Sequence, residues 1–215
     1  MKVIILGDNS DIGKSLKFML EMDGDEVFGW NRTSQVLGNW HLVISCLGSV
    51  APVGKWDLSS PWIENFTSNL FQPVEWLKAL WPWRLPNASV CFMAGSNPQK
   101  IMKGYAAYNA SKMALLKVIE QLDFEEPEVK FFALGPGYID TKIHRPTLEA
   151  GWPNERIARG NPNTMGQVYD CLKWCISQPK EVVGGRNICV SDPYDPALAE
   201  RLKHNSNLYK LRRIE

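Results

Sequence analysis

The sequence has no excess of charge of either sign. Its 24 lysine and arginine residues are balanced by 23 aspartate and glutamate residues, which leaves a formal net charge of +1 over 215 residues. A one-sided charge is the usual footprint of a protein that binds nucleic acid or an anionic membrane surface. Its absence argues against both classes, and a hydrophobic fraction of 45% with 22% charged residues excludes a disordered chain.

The sequence also lacks long hydrophobic runs and an even set of cysteines. No apolar run approaches the roughly 18 residues that a membrane span needs, and the first apolar run after Met1 is too short for a signal-peptide core. Five cysteines, several of them inside apolar runs, lie at positions 46, 91, 171, 175 and 189. We therefore expect buried thiols and a cytoplasmic protein rather than a disulfide framework. Cys171 and Cys175 lie four apart on an apolar helical stripe, so we expect them in the core and expect no metal site.

No repeat, low-complexity tract or linker divides the chain, so we expect a single domain over residues 1–215. Short apolar runs alternate with segments of helical periodicity. The predicted strands cover residues 2–6, 25–30, 41–47, 89–94, 129–134 and 187–191. Near-continuous apolar strands separated by helices predict an α/β fold, a Rossmann-like doubly wound parallel sheet.

Three further segments have their own patterns. A helix is predicted from about residue 60 to residue 80, with a kink at Pro73 because proline removes a helical hydrogen bond. Residues 141–162 are rich in Gly, Pro and Arg, which favours a substrate lid, and residues 193–215 form a predicted C-terminal tail.

The turn after the first strand has the composition of a phosphate-binding turn. Glycines in such a turn permit a tight reversal and close approach to a pyrophosphate, which then lies at the helix N-terminus. Two glycines next to a strand are also common as simple turn residues, so the pattern alone leaves both interpretations open. The candidate dinucleotide-binding residues here are Gly7, Asn9, Ser10, Asp11, Ile12 and Gly13.

No acid follows the second strand, where an NAD-selective site usually places one. Asn31, Arg32 and Thr33 stand there instead. An arginine matches a 2′-phosphate by charge and by its fork of donors, which favours NADP(H) over NAD(H). The alternative is that Arg32 is a solvated loop residue.

Tyr108 and Lys112 are four residues apart on a predicted helix, so both project from one face. A free tyrosine titrates near pH 10, and a nearby ammonium group favours the phenolate and lowers that pKa. The pair therefore predicts an acid–base group, although a Tyr-x-x-x-Lys pair also occurs by chance on helix surfaces.

Taken together, several segments in order resemble the short-chain dehydrogenase/reductase family. Tyr108-Asn-Ala-Ser-Lys112 is similar to the family's Tyr-x-x-Ser-Lys segment, and Tyr105 is excluded because Asn109 occupies its lysine position. Ser96, twelve residues before Tyr108, matches the substrate-orienting serine. Asn69 matches the structural asparagine better than Asn65 does. The resemblance runs from residue 2 to about residue 192.

The resemblance also extends to segments that border the nicotinamide. Those segments supply the candidates Pro136, Gly137, Tyr138, Ile139 and Thr141 after the fifth strand, and Cys46, Leu47 and Gly48 after the third. Two positions depart from the family pattern: Leu6 replaces a threonine and Asp11 replaces the middle glycine. We expect Asp11 to cap the first helix, because aspartate is a favoured cap.

The resemblance implies hydride transfer between a nicotinamide and a carbonyl or alcohol carbon. It implies that Tyr108 protonates the developing alkoxide, and that Lys112 holds the nicotinamide ribose and lowers the pKa of Tyr108. Ser96 would orient the carbonyl, and Asn69 would support a water chain. Trp56, Tyr138 and Trp152 fall in segments that border the substrate pocket, and residues 93–95 resemble dihydropteridine reductase-like members, so a planar pterin-like substrate is one hypothesis.

The family resemblance further implies a homodimer or homotetramer built on helices 60–80 and 108–122. A non-catalytic dinucleotide-binding sensor or scaffold on the same fold is the alternative, since fold does not fix function. Only ten residues separate Trp30 from His41, where the family places a helix, a strand and a second helix. We therefore predict six strands without the usual third strand and its helix, and an open adenine site.

Overall fold

A computed structural model of the chain describes residues 1–30, 38–57, 62–96, 98–151 and 162–211. Six strands form one parallel sheet in the order β2-β1-β3-β4-β5-β6. They are β1 (Lys2–Leu6), β2 (Glu26–Trp30), β3 (Trp40–Ser45), β4 (Arg84–Met93), β5 (Lys130–Gly135) and β6 (Asn187–Cys189). The predicted six-stranded, doubly wound parallel sheet is confirmed.

The fourth strand is longer than predicted. It begins at Arg84, whereas the apolar run begins at Ser89. Residues 84–87 are mostly exposed and include Pro86, so they show no apolar pattern. Their pairing with β3 is irregular between Trp40 and Leu42.

Helices cover both faces of the sheet. They are α1 (Asp11–Met22), α2 (Trp62–Phe66), α3 (Gln72–Leu80), α4 (Ala106–Glu125), α5 (Arg145–Glu149), α6 (Met165–Ser177), α7 (Lys180–Val183) and α8 (Leu198–His204). One face packs α1, α6, α7 and α8 around Ile5, Ile44 and Phe132. The other face packs α3 and α4 around Leu6, Phe92 and Phe131. Cys171 and Cys175 lie buried in the first of these two cores, as predicted.

The predicted kink near Pro73 takes the form of a π-helix. Residues Thr67–Phe71 connect α2 to α3 as a π-helix, and Gln72 N donates to Thr67 O. Proline at position 73 has no N–H to donate to the Asn69 carbonyl, so the ordinary helical pattern cannot continue through Asn69. The irregular turn therefore lies at Asn69.

The segment after Pro193, predicted as a tail, contributes to the core in its first part. Leu198 and Leu202 of α8 are buried. The buried Arg186 guanidinium donates to backbone carbonyls of Glu181, Val182, Leu202, Asn205 and Leu208. Because these carbonyls belong to α7, α8 and the residues that follow, one side chain fastens the C-terminal segment to the start of β6.

Strand β2 lies at one edge of the sheet, and β3 begins at Trp40. In the ranges given above, no strand pairs with the outer side of β2. Most of the connection from Trp30 to Trp40 lies outside those ranges. Within them, no helix has the length and apolar character that crossing a membrane requires.

Candidate active site

The predicted site residues gather at the carboxyl ends of the strands. Gly7 follows β1, Cys46 follows β3, Ser96 follows β4 closely, and Pro136 follows β5. Chain order reverses between β1 and β3, which are neighbours in the sheet. The crevice outside such a switch point is the usual ligand-binding place in open α/β sheets.

Two glycines of the first turn are required by close packing. Gly7 has a φ of +81°, and a Cβ there would lie 3.0 Å from a methyl group of Leu47. A Cβ on Gly13 would overlap the Gly7 carbonyl oxygen. Ser10 closes the turn, because its hydroxyl donates to Gly7 O (2.8 Å) and accepts from Gly13 N (3.0 Å). The turn and the start of α1 thus form one tight backbone unit.

The prediction that Asp11 caps α1 is wrong. Ser10 is the N-cap, and Asp11 is already the first helical residue. Its carboxylate turns away and accepts from the backbone N–H of Lys142 at 3.0 Å. Asp11 therefore connects the phosphate-type turn to the segment after β5, where the lid was predicted.

The structure brings Tyr108 and Lys112 to the end of β4. A Cβ on Gly95 would lie 3.2 Å from the Tyr108 hydroxyl, so this hydroxyl lies next to the residue that precedes Ser96. Lys112 is buried, and its Nζ donates to Met93 O at 2.8 Å. Both side chains project from the first two turns of α4, as their spacing predicted.

The ionisation of this pair differs from the prediction. Burial raises the pKa of Tyr108 to about 12, and no lowering by Lys112 offsets it. Burial also lowers the pKa of Lys112 to about 8. The Lys112 ammonium group donates to the Met93 carbonyl. Because burial raises the pKa of Tyr108, its hydroxyl is protonated at neutral pH and can donate a hydrogen bond.

Asn69 lies in a buried hydrogen-bond network. Its amide donates to Ser49 O (2.8 Å), to Asn65 Oδ1 (2.9 Å) and to Ser111 Oγ (3.0 Å). Ser111 Oγ in turn approaches Asn65 Oδ1 (2.7 Å) and Tyr108 O (2.9 Å). The network thus joins the π-helix to the turn of α4 that carries Tyr108 and Ser111.

Asn65, which matches the family's structural asparagine less well than Asn69 does, belongs to the same network. Asn65 is fully buried and donates to Ser49 O (3.0 Å) and Ala51 O (2.6 Å). The sequence does carry a sign of this pairing. The two asparagines are four residues apart in a predicted helix, so they lie on one face of it.

The Ser96 hydroxyl is buried and can form a hydrogen bond with a ligand. Within the described ranges, nothing forms a hydrogen bond with its Oγ. It faces the turn after β5, since a Cβ on Gly137 would lie 3.5 Å from it. Buried hydroxyls are nearly always hydrogen-bonded, so this group fits a ligand oxygen.

Asn163 was not anticipated from the sequence. Its amide donates to Pro136 O (2.8 Å), its backbone N–H donates to Tyr138 O (2.7 Å), and a Cβ on Gly137 would overlap its Nδ2. Gly137 has a φ of +73°, which favours glycine. Asn163 therefore fixes the turn that faces Ser96. No sequence motif marked this contact between distant segments.

The proposed substrate residues have different surroundings. Tyr138 packs edge-on against His144, with ring centroids 5.0 Å apart, and burial lowers the pKa of His144. Trp56 is 73% exposed. The segment after β5, where a lid is predicted, contacts the start of α4, because Thr147 Oγ1 and Tyr105 OH lie 2.6 Å apart.

Four of the predicted site residues, Asn31, Arg32, Thr33 and Trp152, lie outside the described residues. For the rest, the tight glycine turn and the unpartnered Ser96 hydroxyl fit a dinucleotide and a substrate oxygen. Gly48 approaches Lys112 closely, since a Cβ there would lie 3.3 Å from Lys112 Nζ. The segment after β3 therefore presents backbone, and no side chain, to Lys112 at this position.

Known proteins resemble this chain in fold and, over part of its length, in sequence. No family model matches the sequence. An uncharacterized oxidoreductase of Schizosaccharomyces pombe is 28% identical over 98 residues, which are 45% of this chain and 39% of that protein's length.

Solved structures match over most of the chain. The aldohexose dehydrogenase of Thermoplasma acidophilum has a TM-score of 0.74 at 18% identity and covers 88% of this chain and 91% of its own. A small-chain dehydrogenase in complex with NADPH has the same score and identity, with coverages of 88% and 95%. A short-chain dehydrogenase family protein of Francisella tularensis has a TM-score of 0.72 at 14% identity, with coverages of 87% and 96%. The chain therefore has the fold of the short-chain dehydrogenases/reductases.

Proposed function

We propose that this protein is an oxidoreductase that transfers a hydride between NADP(H) and a small carbonyl or alcohol substrate. The observation that carries the proposal is the convergence of four side chains at one end of the sheet. Tyr108 and Lys112 come from α4, Ser96 from the end of β4, and Asn69 from the π-helix. The fold of the NADPH-bound relative and the oxidoreductase similarity support the same reaction class.

The proton chemistry follows from the positions of Ser96 and Tyr108. In the direction of reduction, the unpartnered Ser96 hydroxyl donates to the substrate carbonyl oxygen and fixes its position. The Tyr108 hydroxyl, protonated at neutral pH because burial raises its pKa, then protonates the developing alkoxide. When bound, the nicotinamide supplies the hydride.

Lys112 and Asn69 act on the cofactor side of the site. Lys112 Nζ donates to Met93 O and has further N–H groups for the nicotinamide ribose. Asn69 holds the backbone of Ser49 through two hydrogen bonds and so fixes the segment after β3. The turn from Gly7 to Gly13 would hold the pyrophosphate, and Pro136, Gly137 and Thr141 would border the carboxamide.

The preference for NADP(H) rests on Arg32, which would pair with a 2′-phosphate. The substrate is proposed as a small carbonyl compound, with planar pterin-like molecules among those to be tested, because aromatic residues such as Tyr138 border the site.

We also propose a homodimer or homotetramer. The exposed apolar side chains Ile63 (61%) and Phe71 (47%) lie on the 60–80 segment expected to form the subunit contact, and Phe124 (83%) lies on α4 just beyond the expected 108–122 segment. Sedimentation of the purified chain measures its oligomeric state, and a monomer at micromolar concentration would contradict this point.

The direct test combines nucleotide binding with a substrate panel. Thermal shift and calorimetry with NADPH and NADH should show binding, and nicotinamide absorbance should report turnover of keto, quinone or pterin substrates. Binding without turnover of any substrate would favour the non-catalytic sensor. Binding of neither nucleotide would contradict the proposal.

A further inference from the structure

Asp8 lies in the turn after β1 and has no role in the function proposed above. It is the first side chain after Gly7, and its carboxylate lies over Gly29 of β2, since a Cβ on Gly29 would overlap Asp8 Oδ2. The pairing of Leu6 with Trp30 and the hydrogen bond from Gly7 N to Trp30 O (3.4 Å) place this contact at the carboxyl end of β2. A residue of the first turn thus brings a carboxylate to the end of the second strand.

The Asp8 carboxylate has an unused acceptor. Its Oδ1 is buried and receives no hydrogen bond from any residue within the described ranges. The neighbouring Ser10 hydroxyl cannot supply one, because it donates to Gly7 O. Asp8 as a residue is only partly buried, so part of it lies at the surface of the turn. A donor from a ligand would offset the desolvation of this oxygen.

The residues at the carboxyl end of the second strand commonly set the preference of such proteins for NAD(H) or NADP(H). In dinucleotide-binding sheets, an acid at the end of the second strand accepts a hydrogen bond from the ribose 2′-hydroxyl, whereas an arginine there accommodates a 2′-phosphate. Here the residues that follow β2 are Asn31 and Arg32, and the carboxylate comes from Asp8 on the adjacent turn. A carboxylate accepts from a hydroxyl group and repels a phosphate.

We infer that Asp8 is a specificity-determining residue of the cofactor site, which accepts a hydrogen bond from the adenosine ribose and opposes a 2′-phosphate. The inference rests on the proposed function. Asp8 and Arg32 act in opposite directions, so the preference of the wild-type protein for NADPH over NADH is smaller than Arg32 alone would give.

The test is calorimetric titration of NADH and NADPH into the full chain and into Asp8→Asn. The asparagine keeps the size of the side chain and removes its charge. We expect weaker binding of NADH, tighter binding of NADPH, and a change of about tenfold in the ratio of the two dissociation constants. Asp170→Asn, an exposed position on α6, is the matched control and should leave the ratio unchanged.

A second variant moves the Asp8 carboxylate without removing its charge. Gly29→Ala forces the Asp8 carboxylate to move, so it should shift the ratio in the same direction, and adding it to Asp8→Asn should have little further effect. An unchanged ratio in Asp8→Asn, with both nucleotides still bound, would overturn the role of Asp8 alone. Failure of the wild-type protein to bind either nucleotide would overturn the proposed function and this inference with it.

Discussion

The amide oxygen of Asn69 lies directly against the backbone of Gly48. A Cβ on Gly48 would come within 2.8 Å of Asn69 Oδ1, and within 3.3 Å of Lys112 Nζ. The segment after β3 therefore passes between two of the proposed functional side chains, and the absence of a side chain at position 48 sets their spacing.

Gly48→Ala should consequently displace Lys112 and Asn69 without unfolding the protein. We expect turnover to fall by about tenfold to a hundredfold, because small misplacements of positioned groups have effects of that size. The measurement is steady-state turnover with the best substrate of the panel, together with thermal unfolding.

Gly54→Ala is the matched control for this change. Gly54 has nearly the same φ, +156° against +158° for Gly48, but a Cβ there meets nothing within 4 Å. If both variants lose the same activity, backbone conformation and not crowding against Asn69 is responsible.

Asn65→Ala should destabilise the fold. The change removes donors to the Ser49 and Ala51 carbonyls and leaves the Ser111 hydroxyl with one acceptor fewer. We expect a loss of about 2–4 kcal/mol in the free energy of unfolding, measured in urea, because several buried polar groups lose partners at once. Asn39→Ala, at an exposed position, should change it by less than about 0.5 kcal/mol. A loss that small in Asn65→Ala would argue against the network.

The pH dependence of reduction should follow Lys112. Burial lowers its pKa to about 8, so the ammonium is charged below that pH and is lost as pH rises through it. Tyr108, with a pKa raised to about 12, stays protonated over the same range. We therefore expect kcat/KM for NADPH in carbonyl reduction to decline above pH 8, because this ratio reports the ionisation of the nucleotide-free enzyme.

Lys112→Arg provides the control, since an arginine keeps its charge throughout this range. Its activity will be lower, yet the decline above pH 8 should disappear. Persistence of the decline at the same pH would assign it to another group.

Asp11→Asn should tighten nucleotide binding. The asparagine can still accept the hydrogen bond from Lys142 N, but it removes a negative charge from the helix N-terminus where a pyrophosphate would lie. We expect the dissociation constants for NADPH and NADH to fall together by about threefold to tenfold. A change in one nucleotide only would contradict this picture, because both carry the same pyrophosphate.

The sequence predicts the sheet well because most strands are largely apolar runs, and it misses the first residues of β4, which are mostly exposed. The resemblance to the short-chain dehydrogenase/reductase family also proposes Tyr108, Lys112, Ser96 and Asn69 as site residues, and their catalytic roles stay predictions. The sequence also predicts the tight turn that contains Gly7 and Gly13, because an apolar strand ends and a helical pattern begins there.

The remaining features depend on contacts between distant segments. Asn163 donates to the carbonyl of Pro136, 27 residues earlier, and Asp11 accepts from Lys142 rather than capping its own helix. The pKa of Tyr108 depends on burial that is set by the whole fold, so the spacing to Lys112 gave the wrong direction. Pro73 predicted a kink, but the π-helix that places Asn69 follows from packing against α4 as well.

The most direct measurement compares turnover and nucleotide affinity in Tyr108→Phe. The variant removes one hydroxyl, and Tyr105→Phe, which removes another hydroxyl one helical turn earlier, is its control. We expect Tyr108→Phe to bind nucleotide as the wild-type protein does and to lose about 10²–10⁴-fold in turnover, while Tyr105→Phe retains most of its turnover. Wild-type turnover in Tyr108→Phe would contradict the proposed mechanism.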